Sequence, residues 1–407
     1  MASVRTRLSI MMFLQFFIWG AWYVTVGNYM TAHGMFDYVS WAYTVGPIAA
    51  IISPVFLGMI ADRFFATERV LATMHLIGAL SMFAVPMAAE AGPGYMIAML
   101  MIHMLAYMPT LGLTNTLAFH NIVDQERDFP LIRVFGTIGW IAANWVVSKW
   151  LHGDKEAVQF YVTGIASIAL AAFSLTLPHT PPPAAGKKVT LGEIFGVDAL
   201  ALLKEWPFMV FILGSFLICI PLAAYYAFAP VFVEKIGFED VAFAMSFGQI
   251  SEIVFMLSMP LFFRRLGVKW MLLVGMAAWV ARYGLFAAAD DGNIKWMVML
   301  GILLHGICYD FFFVTGFIYT DKKCSKEIRG QAQGLLVLVT QGLGLGIGAQ
   351  VVGRLVANYT TAGEPPVTDW GSFWIVPAAM AGVVMLLFAF LFNDRAVEEK
   401  VEAETAE

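Results

Sequence analysis

Two acids and two bases stand inside otherwise apolar stretches of this chain: Arg133, Glu252, Arg282 and Asp310, joined by His103 and His305. An ionised group in hydrocarbon is costly, so such residues pair, exchange a proton or meet a polar solute. Helical spacing sorts them. Arg133, Thr137 and Trp140 fall at i, i+4 and i+7, hence on one face. Gln249 and Glu252 share a face at i, i+3, and His305 and Tyr309 share one at i, i+4. Asp310 lies about 100° round the helix from Tyr309 and is directed at a neighbouring helix. Arg282 stands at a similar depth, within roughly one helical turn of it. An Asp310–Arg282 pair is therefore expected, either as part of proton coupling or as a purely structural salt bridge.

Each of these groups has two readings. A carboxyl in mid-span, as at Glu252, suits uptake and release of a proton, and the other reading is a static binding or structural carboxyl. Arg133 lies only a few residues into its span, so it either meets the solute or extends to the interface. His103 is expected to be a satisfied histidine of the bundle. An arginine, an amide, a carboxylate and flat rings together suit a small polar molecule with a planar part. A nucleoside fits that description well, a sugar or other small polar solute tolerably. No nucleophile–base cluster and no metal motif accompanies the set, so neither an enzyme nor a cofactor is expected, and the proton is the coupling ion.

The elements that hold these residues are dictated by composition. Hydrophobic residues make up 60% of the 407 and charged residues only 13%. A soluble chain of this makeup lacks the polar surface to cover its core. Apolar runs of about 20 residues, each long enough to cross a bilayer, recur at 8–31, 40–61, 69–89, 95–121, 131–150, 157–177, 207–233, 241–263, 270–289, 295–319, 330–357 and 371–393. The expectation is an all-α integral membrane protein of twelve transmembrane helices. The opening apolar run is too long for a signal peptide and is read as the first span. Of the 24 lysines and arginines, 17 fall in one set of loops and tails, five in the opposite set, and Arg133 and Arg282 within spans. The positive-inside rule then places both termini in the cytoplasm, for a multi-pass protein of the inner membrane. Net charge is −5 and no basic stripe is present, so nucleic acid is not an expected partner. The partners expected are the lipid bilayer and a small solute, with the chain acting as a monomer.

The hydrophilic interruption at 178–206 opens with Pro178-His-Thr-Pro-Pro-Pro183 and divides the spans into six and six. It reads as a stiff linker between bundles at 1–177 and 207–394, followed by an acidic tail at 395–407. Gly58-Met-Ile-Ala-Asp62-Arg63 after the second span, echoed by Arg264-Arg265 after the eighth, supports an internal repeat. The Gly342, Gly344, Gly346 and Gly348 series lies within an apolar span with no preceding strand, so it suits close helix packing rather than nucleotide binding.

Several longer segments are more specific. Gly58, Asp62 and Arg63 resemble the loop signature of the major facilitator superfamily, where acid and base form a conformational latch; the second glycine of that pattern is Phe65 here. Phe13-Leu-Gln-Phe-Phe-Ile-Trp-Gly-Ala-Trp22, Ala106-Tyr-Met-Pro-Thr-Leu-Gly-Leu-Thr-Asn115 and Phe129-Pro-Leu-Ile-Arg133-Val-Phe-Gly-Thr137-Ile-Gly139 join Gln249-Ile-Ser-Glu252, Tyr309-Asp-Phe-Phe312 and Ala332-Gln-Gly334. Together they resemble the nucleoside:proton symporters of that superfamily over nearly the whole chain. The resemblance implies proton-driven nucleoside uptake by alternating access of two six-helix bundles. It carries substrate-binding roles to Arg133, Thr137, Gln249 and Glu252, with Trp140 at a position where relatives have Phe, and His305 and Tyr309 at a Tyr/Phe pair. Proton coupling is expected of Glu252 with Asp310, Arg133 and Arg282. In the seventh span, relatives place Gln and Asn where Ala223 and Tyr226 stand, so the substrate is expected to be a different nucleoside or a related solute.

Overall fold

Backbone amides in hydrocarbon have no partner but the chain itself, so long apolar stretches close into helices. The computed structural model describes residues 3–56, 64–182, 197–325, 328–361, 363 and 367–394. Among them, nine helices are long and apolar enough to cross a membrane. The 49-residue Val241–Ala289 holds two spans, because the chain turns at Gly267 with φ 65°. The shorter Val39–Phe56 and Val158–Ser174 bring the number to twelve. Spans are numbered below in chain order. The loop residues Gly58, Asp62 and Arg63 lie outside the described residues.

The chain divides into two compact units, one comprising Met1–Ile194 with Asp240–Phe243, the other Phe195–Glu239 with Ala244–Glu407. In the first unit, the first span (Val4–Ala32) crosses the fifth (Arg127–Trp150) at backbone contact. A Cβ on Gly139 would stand 2.1 Å from the Phe13 carbonyl oxygen, so only glycine admits this crossing. Inside the unit, Gln15 donates to Thr110 at 2.7 Å and its Oε1 meets His75 Nε2 at 2.9 Å, while the Tyr107 hydroxyl donates to the Gln15 carbonyl. These bonds satisfy polar groups that hydrocarbon would leave bare.

Beyond the fifth span, Asp154 accepts from the Ser148 hydroxyl at 2.7 Å and from the Val241 N–H at 2.6 Å. Burial raises its carboxyl from 3.8 to about 6, with Asp240 adding to the rise and these hydrogen bonds opposing it. The native state thus binds a proton that the unfolded chain does not hold between those values. Stability therefore grows as pH falls through about 6 and is lost as pH rises through it, by about 2–3 kcal/mol in full. Thermal unfolding in detergent should show a higher midpoint at about pH 5 than at about pH 7. Asp154→Asn should flatten that difference, and an unchanged difference in the variant would assign it to other groups.

In the second unit, side chains at one end of the spans converge on Lys323. Its ammonium lies 2.9 Å from Glu205 and 2.7 Å from Asp394, which also accepts from the Tyr319 hydroxyl at 2.7 Å. The Trp206 indole donates to the Leu391 carbonyl at 3.2 Å. Outward faces are apolar, with Leu257 79% and Phe390 85% exposed, as a surface solvated by lipid requires. Trp150, Trp206, Trp270 and Trp296 stand exposed near span ends, where an indole bridges hydrocarbon and headgroups.

Candidate functional site

The second unit gathers most of its intramembrane ionisable residues into one place. The eighth and tenth spans touch there, because the tenth carries Gly306 where a Cβ would lie 2.6 Å from the Ser251 carbonyl oxygen. The Gly306 N–H donates to the Ser251 hydroxyl at 3.0 Å. That close approach brings His305 Nε2 to 3.8 Å from the Glu252 carboxylate. On its other side, His305 Nδ1 lies 3.3 Å from Nη2 of Arg282, which comes from the ninth span. Arg282 is 0% exposed, donates through Nε to the Gly301 carbonyl at 3.1 Å, and lies 4.1 Å over the Tyr225 ring. Tyr225 stacks on His305 with centroids 5.4 Å apart, and Tyr309 stacks at 5.9 Å.

Asp310 departs from the sequence expectation. Its carboxylate is fully buried, and neither oxygen has a hydrogen-bond partner among the described residues. Arg282 reaches His305 and Gly301 instead, so the expected Asp310–Arg282 hydrogen bond is not formed. The reason is azimuthal. Asp310 follows His305 by five residues, which sets the two side chains about 140° apart on a helix. A guanidinium turned toward His305 and Gly301 is thereby turned away from Asp310. Asp310 also opens a π-helical turn, Asp310–Val314, a widened geometry frequent at functional sites.

Gln249, one turn from Glu252, has its buried Oε1 without a partner among the described residues. In the seventh span, Ala223 is buried with its Cβ 3.0 Å from the place a Cβ on Gly348 would take, so it serves helix packing within this unit. Tyr226 is half-buried against Tyr225.

The first unit presents aromatic rings around Arg133, Thr137 and Trp140. The Arg133 guanidinium lies 4.1 Å from the Phe16 ring centroid. It also lies over Gly136, one turn further into the span, where a Cβ would stand 2.7 Å from its Nη1. This places the charge along the helix toward Phe16 and Gly136. Trp140 meets Trp19 at 5.6 Å and Tyr23 at 6.2 Å, both edge to face, and Trp19 lies 5.6 Å from Tyr107. The indole N–H groups of Trp19 and Trp140 are buried with no acceptor among the described residues. Thr137 is half-buried on the same face of the fifth span. His103 sits elsewhere in the unit, 3.1 Å from the Gly78 carbonyl and stacked on Tyr107.

Sequence reasoning missed Tyr225, Gly306, Ser251 and Trp19. Trp19 and Tyr23 sit at i, i+4, a spacing that could have signalled a shared aromatic face. The role of Gly306 depends on which helix packs against it, and sequence spacing carries no such signal. The described residues contain no cluster of His, Cys, Asp or Glu fit to hold a metal ion.

Comparison with known proteins places this arrangement. The chain is 34% identical to nucleoside permease NupG of Escherichia coli strain K12, covering 99% of each chain. It is 32% identical to xanthosine permease of the same organism, covering 98% of each. The crystal structure of nucleoside transporter NupG superposes with a TM-score of 0.87 at 33% identity, over 97% of this chain and all of that one. The twelve helices thus adopt the major facilitator fold. The nucleoside H+ symporter family model matches residues 2–396, and the chain belongs to that family of membrane transporters.

Proposed function

We propose that the protein imports a nucleoside together with a proton by alternating access of its two bundles, acting as a monomer in the inner membrane with both termini in the cytoplasm. Family membership supports nucleoside–proton symport. The observation that carries the site assignment is unused hydrogen-bonding capacity on buried groups in each unit: the indoles of Trp19 and Trp140 in one, Gln249 Oε1 and the Asp310 carboxylate in the other. Buried polar groups are ordinarily satisfied, so such groups are set aside for a visiting solute or proton. Arg133, Thr137, Trp140, Gln249 and Glu252 bind the nucleoside, with Tyr226, His305 and Tyr309 supplying rings. The proton travels on Glu252 and Asp310, two acids whose charges the hydrocarbon disfavours together.

The seventh span bears on which nucleoside is carried. An alanine and a tyrosine at 223 and 226 offer one hydroxyl and no amide, so the base or ribose is read by fewer directed bonds than two amides would provide. Uptake of a labelled nucleoside panel into proteoliposomes tests the proposal. An inward proton gradient should raise nucleoside accumulation by at least about tenfold and leave hexoses at background. Accumulation of a hexose with no nucleoside would overturn it.

A further inference from the structure

Arginine only donates hydrogen bonds, and this fixes the proton on a neighbouring ring. Nη2 of Arg282 lies 3.3 Å from His305 Nδ1. Were Nδ1 to carry a hydrogen, two donors would face each other. Arg282 is not free to turn away, because its Nε is held at 3.1 Å by the Gly301 carbonyl, one turn earlier on the tenth span, and its plane lies over Tyr225. His305 Nδ1 is therefore the acceptor and the hydrogen resides on Nε2. That nitrogen is the one facing Glu252, at 3.8 Å.

We infer that Arg282 is a positioning residue that locks His305 in the neutral Nε2–H form, so that the ring presents a fixed N–H donor to Glu252 and is barred from taking the transported proton itself. The inference rests on the reading of Glu252 as proton carrier and assigns Arg282 and His305 distinct parts in it. The His305 ring has one lone pair, and the guanidinium occupies it. A proton arriving in this cluster must then go to a carboxylate. The groups facing the ring from each packed element agree with this division. The seventh span contributes Tyr225, a stacking face, and the eighth Glu252. The ninth contributes Arg282 and the tenth Tyr309, with Cys308 in electrostatic reach of Arg282. The carboxylates of Glu252 and Asp310 are the acids of the set, and their charges act on each other. With His305 neutral, no second cation stands beside Glu252, so its carboxylate stays able to bind and release the proton.

The test needs no substrate in its first arm. Protein labelled with 15N-histidine is reconstituted in lipid, and the His305 signals are identified as those missing from His305→Asn. The expected result is an unprotonated Nδ1 and a protonated Nε2, unchanged from neutral to about pH 5. A hydrogen on Nδ1, or an imidazolium, would overturn the inference. In Arg282→Met the lone pair is released, and His305 should become an imidazolium at about pH 5. An imidazolium lowers the protonated fraction of an adjacent carboxyl by at least about tenfold. Gradient-driven nucleoside uptake by Arg282→Met should accordingly fall about tenfold between neutral and acid buffer. Arg282→Lys, which keeps a donor, and the double variant Arg282→Met/His305→Asn should lack that acid-side loss. An equal acid-side loss in the double variant would show that Arg282 does not act through His305. Should wild-type protein accumulate no nucleoside while the ring nitrogens behave as expected, the transport reading fails and the tautomer assignment stands.

Discussion

Glu252→Gln should abolish proton-driven accumulation while retaining most of the nucleoside exchange across the membrane. Glutamine keeps the length of the side chain and an oxygen that can accept from the His305 Nε2–H, which faces this position at 3.8 Å. It cannot take up a proton. Loss of a side chain that transfers a proton typically lowers rate by about a hundredfold or more. Initial uptake under an inward proton gradient should drop by that order, and the accumulated concentration should not exceed the external one. Counterflow, in which internal nucleoside exchanges for labelled external nucleoside, needs no net proton movement and should continue within about threefold of wild type. Gradient-driven accumulation at wild-type levels in Glu252→Gln would remove Glu252 as the essential carrier and leave that part to Asp310.

Gly306→Val should fail in both assays. Three backbone atoms crowd the position: a Cβ would lie 2.6 Å from the Ser251 oxygen, 2.7 Å from its carbonyl carbon and 2.8 Å from the Glu252 nitrogen. No flexible side chain can yield there, so the tenth span must withdraw from the eighth. Overpacking of this kind costs about 1–3 kcal/mol, and the Gly306–Ser251 hydrogen bond is strained with it. Withdrawal also carries His305 away from Glu252 and disturbs the Arg282 contacts. The thermal midpoint in detergent should fall, and counterflow should fall with accumulation, unlike the outcome for Glu252→Gln. Wild-type counterflow in Gly306→Val would show that the close crossing of these two spans is dispensable for transport.

Much of the fold is legible because hydrocarbon imposes one rule on every backbone group. The spans announce themselves as apolar runs, and Gly267 with its neighbouring basic residues marks the corner between the eighth and ninth. Within spans, the scarcity of charge singles out Glu252, Arg282 and Asp310, and the structure brings Glu252 and Arg282 to either side of His305. Depth along a helix can be counted from its end, which is why Arg282 and Asp310 were expected to meet. Azimuth between helices cannot be counted. It depends on which side of the ninth span faces the tenth, and here that side presents Arg282 to Gly301 and His305. Periodicity also breaks where a π-turn inserts a wider step, as at Asp310–Val314 and Leu338–Gly344, and residues beyond it no longer follow the wheel drawn from those before. The aromatic set around Trp140 was half legible. The fifth-span face was read from spacing, whereas Trp19 and Tyr23 belong to a different helix whose crossing is set by Gly139.

The knot around Lys323 sets a practical limit on where the chain can be shortened or extended. The Lys323 side chain is only 11% exposed, and its ammonium is held by Glu205 and Asp394. Asp394, two positions past the capping Phe392, thus ties the end of the twelfth span to the tenth. Purification handles, fluorescent reporters and fusion partners should therefore be joined beyond Asp394. A cut at Phe392 would instead leave the Lys323 cation and the Tyr319 hydroxyl without their shared acceptor, trading a tidier protein for a less durable one in detergent.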